Sequence, residues 1–162
     1  PICSGSNDKT SVAVMILDGL ERVPVTSSPG VHKYPRWSPD GGRIAYLVDQ
    51  GSKPGIYIAA ADGADGTEHE LLTTISGDEV GDWSDDGKSV VFTVRDGEEQ
   101  GIYTRNPNGV NELRLTQAPD YSPVWSPDSR RVAFLSTTRL LRYFTLFSLS
   151  ILRARSTNWS NI

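Results

Sequence analysis

At 162 residues the chain has room for one ordinary core and not for two. Apolar residues at 37%, 15 glycines and 10 prolines predict many turns and no long helix, the profile of an all-β chain. The net charge of −4 hides an asymmetry: residues 139–162 hold four arginines and no acid, which leaves 12 basic against 20 acidic side chains in residues 1–138, so the body lacks the basic stripe that a nucleic acid requires.

The single cysteine, Cys3, excludes an intramolecular disulfide, so the fold must stand on packing. Pro1-Ile2-Cys3 is expected to belong to a piece of a longer chain and not to the start of a processed lipoprotein, because Pro and not Met comes first. The sequence shows no complete signal peptide and no apolar run long enough to span a membrane.

Residues 1–10 are small and polar and read as a disordered end. Ser11 to Leu17 is β-rich, Asp18-Gly19 is a hairpin turn, and Arg22 to Thr26 is the returning strand. After a loop over Ser27 to Lys33, Tyr34-Pro35-Arg36-Trp37 forms a short strand. Ser38-Pro39-Asp40-Gly41 then makes a tight turn in which Pro presets φ, Asp bonds the local backbone and Gly accepts positive φ. Gly42 to Val48 returns as a nearly continuous apolar run, which suits a strand covered on both faces. Gly55 to Ala59 and His69 to Thr73 complete a four-stranded unit.

The same order then recurs: Asp82-Trp83, the turn Ser84 to Gly87, and strands Ser89 to Val94, Gly101 to Thr104 and Glu112 to Thr116. A last unit begins with Tyr121 to Trp125, a turn, and Arg131 to Ser136. The three tryptophans Trp37, Trp83 and Trp125 are 46 and then 42 residues apart, and self-similarity at such a period marks a repeat architecture. Residues 11–26 have no Trp turn before them and read as the second half of a repeat. The expected organisation is therefore a disordered end over 1–10 and repeat units over about 11–26, 34–73, 80–116 and 121–138. An atypical basic and apolar tail follows over 139–162, which reads as foreign to the domain.

Three Trp-Ser-x-Asp turns in register resemble the TolB-like propellers, which are related in shape to WD-repeat propellers. The matching pieces are these turns, the strand Arg43-Ile44-Ala45-Tyr46 with its equivalents Ser89 to Phe92 and Arg131 to Phe134, the Gly-Ile-Tyr strands at 55–57 and 101–103, and the Leu-Thr strand ends at 72–73 and 115–116. The resemblance covers about residues 11–138 and implies a β-propeller fragment of four-stranded antiparallel blades: half a blade, two full blades and half a blade. Propellers close with about four to eight blades, so this chain alone is not expected to close the ring. Its open blade faces then call for further propeller blades or for self-association.

Candidate sites divide into repeated and unrepeated positions. Trp37, Asp40, Gly41, Trp83, Asp86, Gly87, Trp125 and Asp128 recur at one place in each unit and are assigned to structure, the aspartates to turn geometry and the tryptophans to the core. Asp62-Gly63-Ala64-Asp65-Gly66 lacks the alternating oxygens of a calcium loop. His32 and His69, the two histidines, have no ligand spacing around them, so no metal or other cofactor is expected. No Gly-x-Ser-x-Gly elbow is present, and no catalytic residue is assigned. The unrepeated positions before each Trp, namely Tyr34, Arg36, Asp82 and Tyr121, are the candidates for binding a protein partner.

The resemblance implies a non-enzymatic protein-interaction module of the bacterial envelope, periplasmic or otherwise extracytoplasmic, with a lipoprotein as the type of partner. The alternatives are a non-catalytic gating propeller of a peptidase similar to the prolyl oligopeptidase or tricorn groups, and a truncated product without function.

Overall fold

The computed structural model describes residues 9–26, 30–50, 53–63, 70–73, 79–95 and 97–136. The segment 139–162, together with His69 and Asp65, lies outside the described residues.

Twelve strands and no helix occur among the described residues: β1 (Ala13–Ile16), β2 (Glu21–Pro24), β3 (Val31–Trp37), β4 (Arg43–Gln50), β5 (Gly55–Ala60), β6 (Glu70–Thr73), β7 (Glu79–Trp83), β8 (Val90–Val94), β9 (Gly101–Arg105), β10 (Leu113–Arg114), β11 (Tyr121–Trp125) and β12 (Val132–Leu135). They form two four-stranded antiparallel sheets, β3-β4-β5-β6 and β7-β8-β9-β10, flanked in sequence by the two-stranded sheets β1-β2 and β11-β12. Among the described residues no sheet closes on itself. The architecture is that of a partial propeller with β3, β7 and β11 as the first strands of successive units.

Burial explains why each unit needs a neighbour. On β4, Ile44, Tyr46 and Val48 pack with Val12 and Val25 of the first hairpin. Ala45 and Leu47, on the opposite face, pack with Ile56, Ile58, Val80, Trp83, Val90, Phe92 and Val94. Side chains alternate across a strand, so both faces of β4 are covered by different sheets and the strand carries apolar residues at every position from Ile44 to Val48. All five residues of β8 are buried in the same way.

The hairpin β1-β2 matches the outer half of a complete blade bond for bond. Val12 O accepts from Val25 N at 3.0 Å and Thr26 N at 3.3 Å, while Thr26 Oγ1 accepts from Val12 N at 3.0 Å. In the second blade, Ile102 O accepts from Leu115 N at 2.7 Å and Thr116 N at 3.4 Å, and Thr116 Oγ1 accepts from Ile102 N at 3.0 Å. Val14↔Val23 and Ala13↔Pro24 accordingly stand where Thr104↔Leu113 and Tyr103↔Arg114 stand.

Two boundaries differ from expectation. Strand β3 begins at Val31, inside the expected loop, because Val31 pairs with Gln50 and His32 with Val48. Thr10, placed by its polar surroundings in the disordered end, is tied down: its hydroxyl donates to His32 O at 2.7 Å and accepts from His32 N at 2.6 Å.

Each first strand is irregular shortly before its Trp. The bulge spans Tyr34-Pro35 in β3 and Ser122-Pro123 in β11, with Tyr34 and Ser122 at φ of 54° and 53°, but only Gly81 in β7. The shorter bulge lets β11 approach closely. A Cβ on Gly81 would lie 2.4 Å from Pro123 O and 2.6 Å from Pro123 Cγ. Gly81→Ala is expected to cost about 2–3 kcal/mol through this clash, read as a lower denaturant midpoint at constant m. Gly19→Ala, whose Cβ would meet nothing within 4 Å, is expected to change stability by no more than about 0.5 kcal/mol.

Candidate interaction surface

The antiparallel topology places all Ser-x-Asp turns at one end of the blades and the starts of β3, β7 and β11 at the other. At the turn end, Ser38 Oγ donates to Asp40 Oδ1 at 2.5 Å and accepts from Arg43 N at 2.9 Å, while Gly42 N donates to Asp40 Oδ1 at 3.0 Å. Ser84, Asp86, Lys88 and Ser89 repeat this set, with Ser84 Oγ 2.7 Å from Asp86 Oδ1. Ser126, Asp128, Arg130 and Arg131 repeat it again. Ser129 takes the glycine position, at φ 53° against 70° and 68° for Gly41 and Gly87.

The serine hydroxyl and the following amides hold Asp40, Asp86 and Asp128 below the usual carboxylate range, the serine being the larger cause in each case. A folded pKa below the unfolded one stabilises fully above the unfolded value and is lost as pH falls through the folded value. These turns therefore weaken only in acid.

The three tryptophans meet at the turn end around an open groove of about 300 Å³, which Asp82, Asp85, Pro39 and Pro127 also line. Their burial is unequal, which corrects the assignment of all three to the core. Trp83 is 4% exposed, with the Arg43 guanidinium 5.0 Å over its ring, whereas Trp37 is 52% exposed and Trp125 is half-buried. Trp83 is covered by the preceding blade, and among the described residues no blade precedes β3 except the outer hairpin β1-β2.

The unrepeated residues before each Trp divide between blade contacts and free surface. Arg36 Nε donates to Gly81 O at 2.7 Å, tying β3 to β7. Asp82 accepts from Trp83 N at 2.9 Å through one oxygen and from Trp125 N at 3.1 Å through the other, tying β7 to β11. Tyr34 is half-buried against the core cluster between the two full blades. Tyr121 is exposed.

The opposite end holds a pattern that residue-by-residue comparison from each Trp misses. Lys33 pairs with Leu47 and Glu79 with Thr93, each three residues beyond the partner of its Trp, and Tyr121 pairs with Leu135 in the same place. Lys33 Nζ lies 2.7 Å from Asp49 Oδ2, and Arg95 NH2 lies 2.6 Å from Glu79 Oε2. These are one structural pair with its charges exchanged. The Asp49 hydrogen bond raises the Lys33 pKa. The signal legible in the sequence is an opposite-charge pair at a constant separation of 16.

Asp120 is buried at the start of β11, and its Oδ1 has no hydrogen-bond partner among the described residues. His32 is also buried, its Nδ1 2.6 Å from Thr10 O. Among the described residues no three His, Cys, Asp or Glu side chains gather as a metal site.

The family described as TolB beta propeller domain matches residues 3–156. The chain belongs to this family. The match extends beyond the residues whose motifs carried the resemblance, into the segment read as foreign. No curated protein matches the chain. Among solved structures, TolB from Acinetobacter baumannii is similar at 24% identity and TM-score 0.64, covering 81% of this chain and 33% of its own. A chain of the nidogen/laminin complex follows at 16% identity and TM-score 0.62, covering 78% and 48%. The β-propeller domain of the Trilobed protease from Pyrococcus furiosus, described as having an open velcro topology, is similar at 13% identity and TM-score 0.58, covering 86% and 44%. At these identities the likeness is one of fold, and the chain spans a third to a half of the matched lengths.

Two outcomes test the geometry of this TolB-type fragment. Ser84→Ala is expected to raise the Asp86 pKa toward 3.8, read by carbon-detected NMR titration, with Asp40 and Asp128 unmoved. Glu79→Lys is expected to lower stability by about 1 kcal/mol, and the double variant Glu79→Lys with Arg95→Asp to recover most of that loss, the recovery shrinking as salt is added.

Proposed function

We propose that this chain is a non-enzymatic protein-interaction module, part of a TolB-type propeller working outside the cytoplasm on the bacterial envelope. The observation that carries the reading is the contrast between the two ends of the blades. At the turn end, one hydrogen-bond set is repeated three times. At the other end, equivalent positions carry Lys33, Glu79 and Tyr121, so neighbouring blades present different chemistry on a common frame. A rigid scaffold with variable ends is how repeat proteins build recognition surfaces. Propellers of this type are generally non-catalytic, and the propeller fold serves protein contacts widely.

Within this reading Tyr121 is the leading contact residue, since an exposed aromatic side chain buries much area at little entropic cost. Tyr34, half-buried against the core cluster, offers less surface than Tyr121. Arg36 and Asp82 act on the partner surface chiefly by holding adjacent blades in place. The partner is a lipoprotein of the same envelope compartment. The second reading, a gating propeller beside a peptidase domain, draws on the likeness to the protease propeller.

A photo-crosslinking residue in place of Tyr121, in a bacterial host, is expected to capture an envelope lipoprotein, identified by mass spectrometry. The same residue in place of Val110, exposed at the turn end, is expected to capture none. Recovery of a hydrolase domain from Tyr121 would replace this reading with the peptidase one, and equal capture from both positions would remove the surface from consideration.

A further inference from the structure

The turn that joins the outer two strands of a blade occurs three times. Counted from the matched pairs Val14↔Val23 and Thr104↔Leu113, Asp18-Gly19 of the first hairpin stands where Asn108-Gly109 stands in the second full blade. Counted from Tyr46↔Tyr57 and Phe92↔Tyr103, Asp62-Gly63 stands there in the first full blade. The two full blades build this turn alike: Gly63 N donates to Ala60 O at 3.4 Å and Gly109 N to Asn106 O at 2.8 Å, with the glycines at φ of 63° and 80°. One position therefore holds a carboxylate twice and its amide once.

We propose that Asn108 is a site of spontaneous deamidation, which turns its side chain into the carboxylate that the other two turns carry. The Gly109 backbone nitrogen, its proton lost to hydroxide, attacks Asn108 Cγ. A C–N bond forms, the side-chain nitrogen leaves as ammonia, and a five-membered succinimide remains. Water then opens either of the two C–N bonds of that ring, giving aspartate when the Cγ bond breaks and isoaspartate when the main-chain bond breaks. Hydroxide and water are the only co-reactants, and nothing is oxidised or reduced.

The local structure meets the needs of this reaction. Asn108 is exposed, so hydroxide and water reach it. Gly109 has no side chain to crowd the attacking nitrogen. Asn108 Oδ1 accepts from Val110 N at 3.3 Å, which draws the side-chain carbonyl across the Asn108-Gly109 peptide and places a donor where negative charge develops as the nitrogen adds. The bond from Gly109 N to Asn106 O opposes the attack, so conversion proceeds through opening of this one turn bond. Arg105 Nε donates to Gly109 O at 2.7 Å, so a cation already stands at the turn that gains the charge. The other described asparagines lack these conditions: Asn106 precedes Pro107, whose nitrogen has no proton to lose, and Asn111 precedes Glu112, whose side chain crowds the attack. The new charge arises at the turn end of the outer strands, away from Lys33, Glu79 and Tyr121, and is independent of what binds there.

The test uses the 162-residue chain. Held folded at neutral and at mildly alkaline pH, it is expected to accumulate an acidic species one mass unit heavier, at a rate that rises with hydroxide. Peptide mapping is expected to place aspartate and isoaspartate at position 108, with oxygen taken up from isotopically heavy water. Asn108→Ser is expected to remove this species. Asn108→Asp is expected to co-elute with its aspartate form on ion exchange and to keep the parent denaturant midpoint, because the turn accepts a carboxylate at the same place in two other units. Added mass that maps only to other asparagines overturns the proposal. Conversion in urea but not in the folded chain shows that the turn bonds protect Asn108, and overturns it equally. A lower midpoint for Asn108→Asp overturns the equivalence of the three turns on which the product's fit rests.

Discussion

Everything in this structure depends on the covering of blade faces by other blades. A four-stranded sheet with apolar residues on both sides of its central strands has no stable existence alone, because each bare face leaves Leu, Ile, Val and Phe side chains in water at about 25 cal/mol per Å². The strand β4 shows the consequence most directly, with Tyr46 turned toward the first hairpin and Leu47 toward the second blade. Where a neighbour is lacking, as at Phe134, the same residue type stands open.

Polar contacts supplement this packing and set how the blades are placed. Arg36 reaches the Gly81 carbonyl and Asp82 reaches the Trp125 amide, so successive inner strands are tied by one directional bond each. Backbone groups at a bulge or a strand end need partners, and a charged side chain from the preceding blade meets that need with a stronger bond than a neutral one. The close approach of Pro123 to Gly81 belongs to the same junction.

The functional reading follows from this division of labour. Turns that close on themselves through Ser and Asp leave their end of the blades uniform, whereas the opposite end is free to differ from blade to blade. The exchanged pairs Lys33 with Asp49 and Glu79 with Arg95 keep the geometry while reversing the local field. A surface of that kind can be tuned for a partner without disturbing the core.

The sequence by itself determined the repeat, the four strands of each unit, the half, full, full, half order and the turn chemistry. All of these rest on contacts within a few residues, such as Ser38 with Asp40 and Arg43, or on the apolar run from Ile44 to Val48. Tertiary structure decided what depends on residues from other units. It buried Trp83 and left Trp37 open, and it drew Arg36 and Asp82 into blade junctions. It also matched Glu79 to Lys33 across bulges of unequal length. Identical motifs met different neighbours, and burial belongs to the neighbour as much as to the residue.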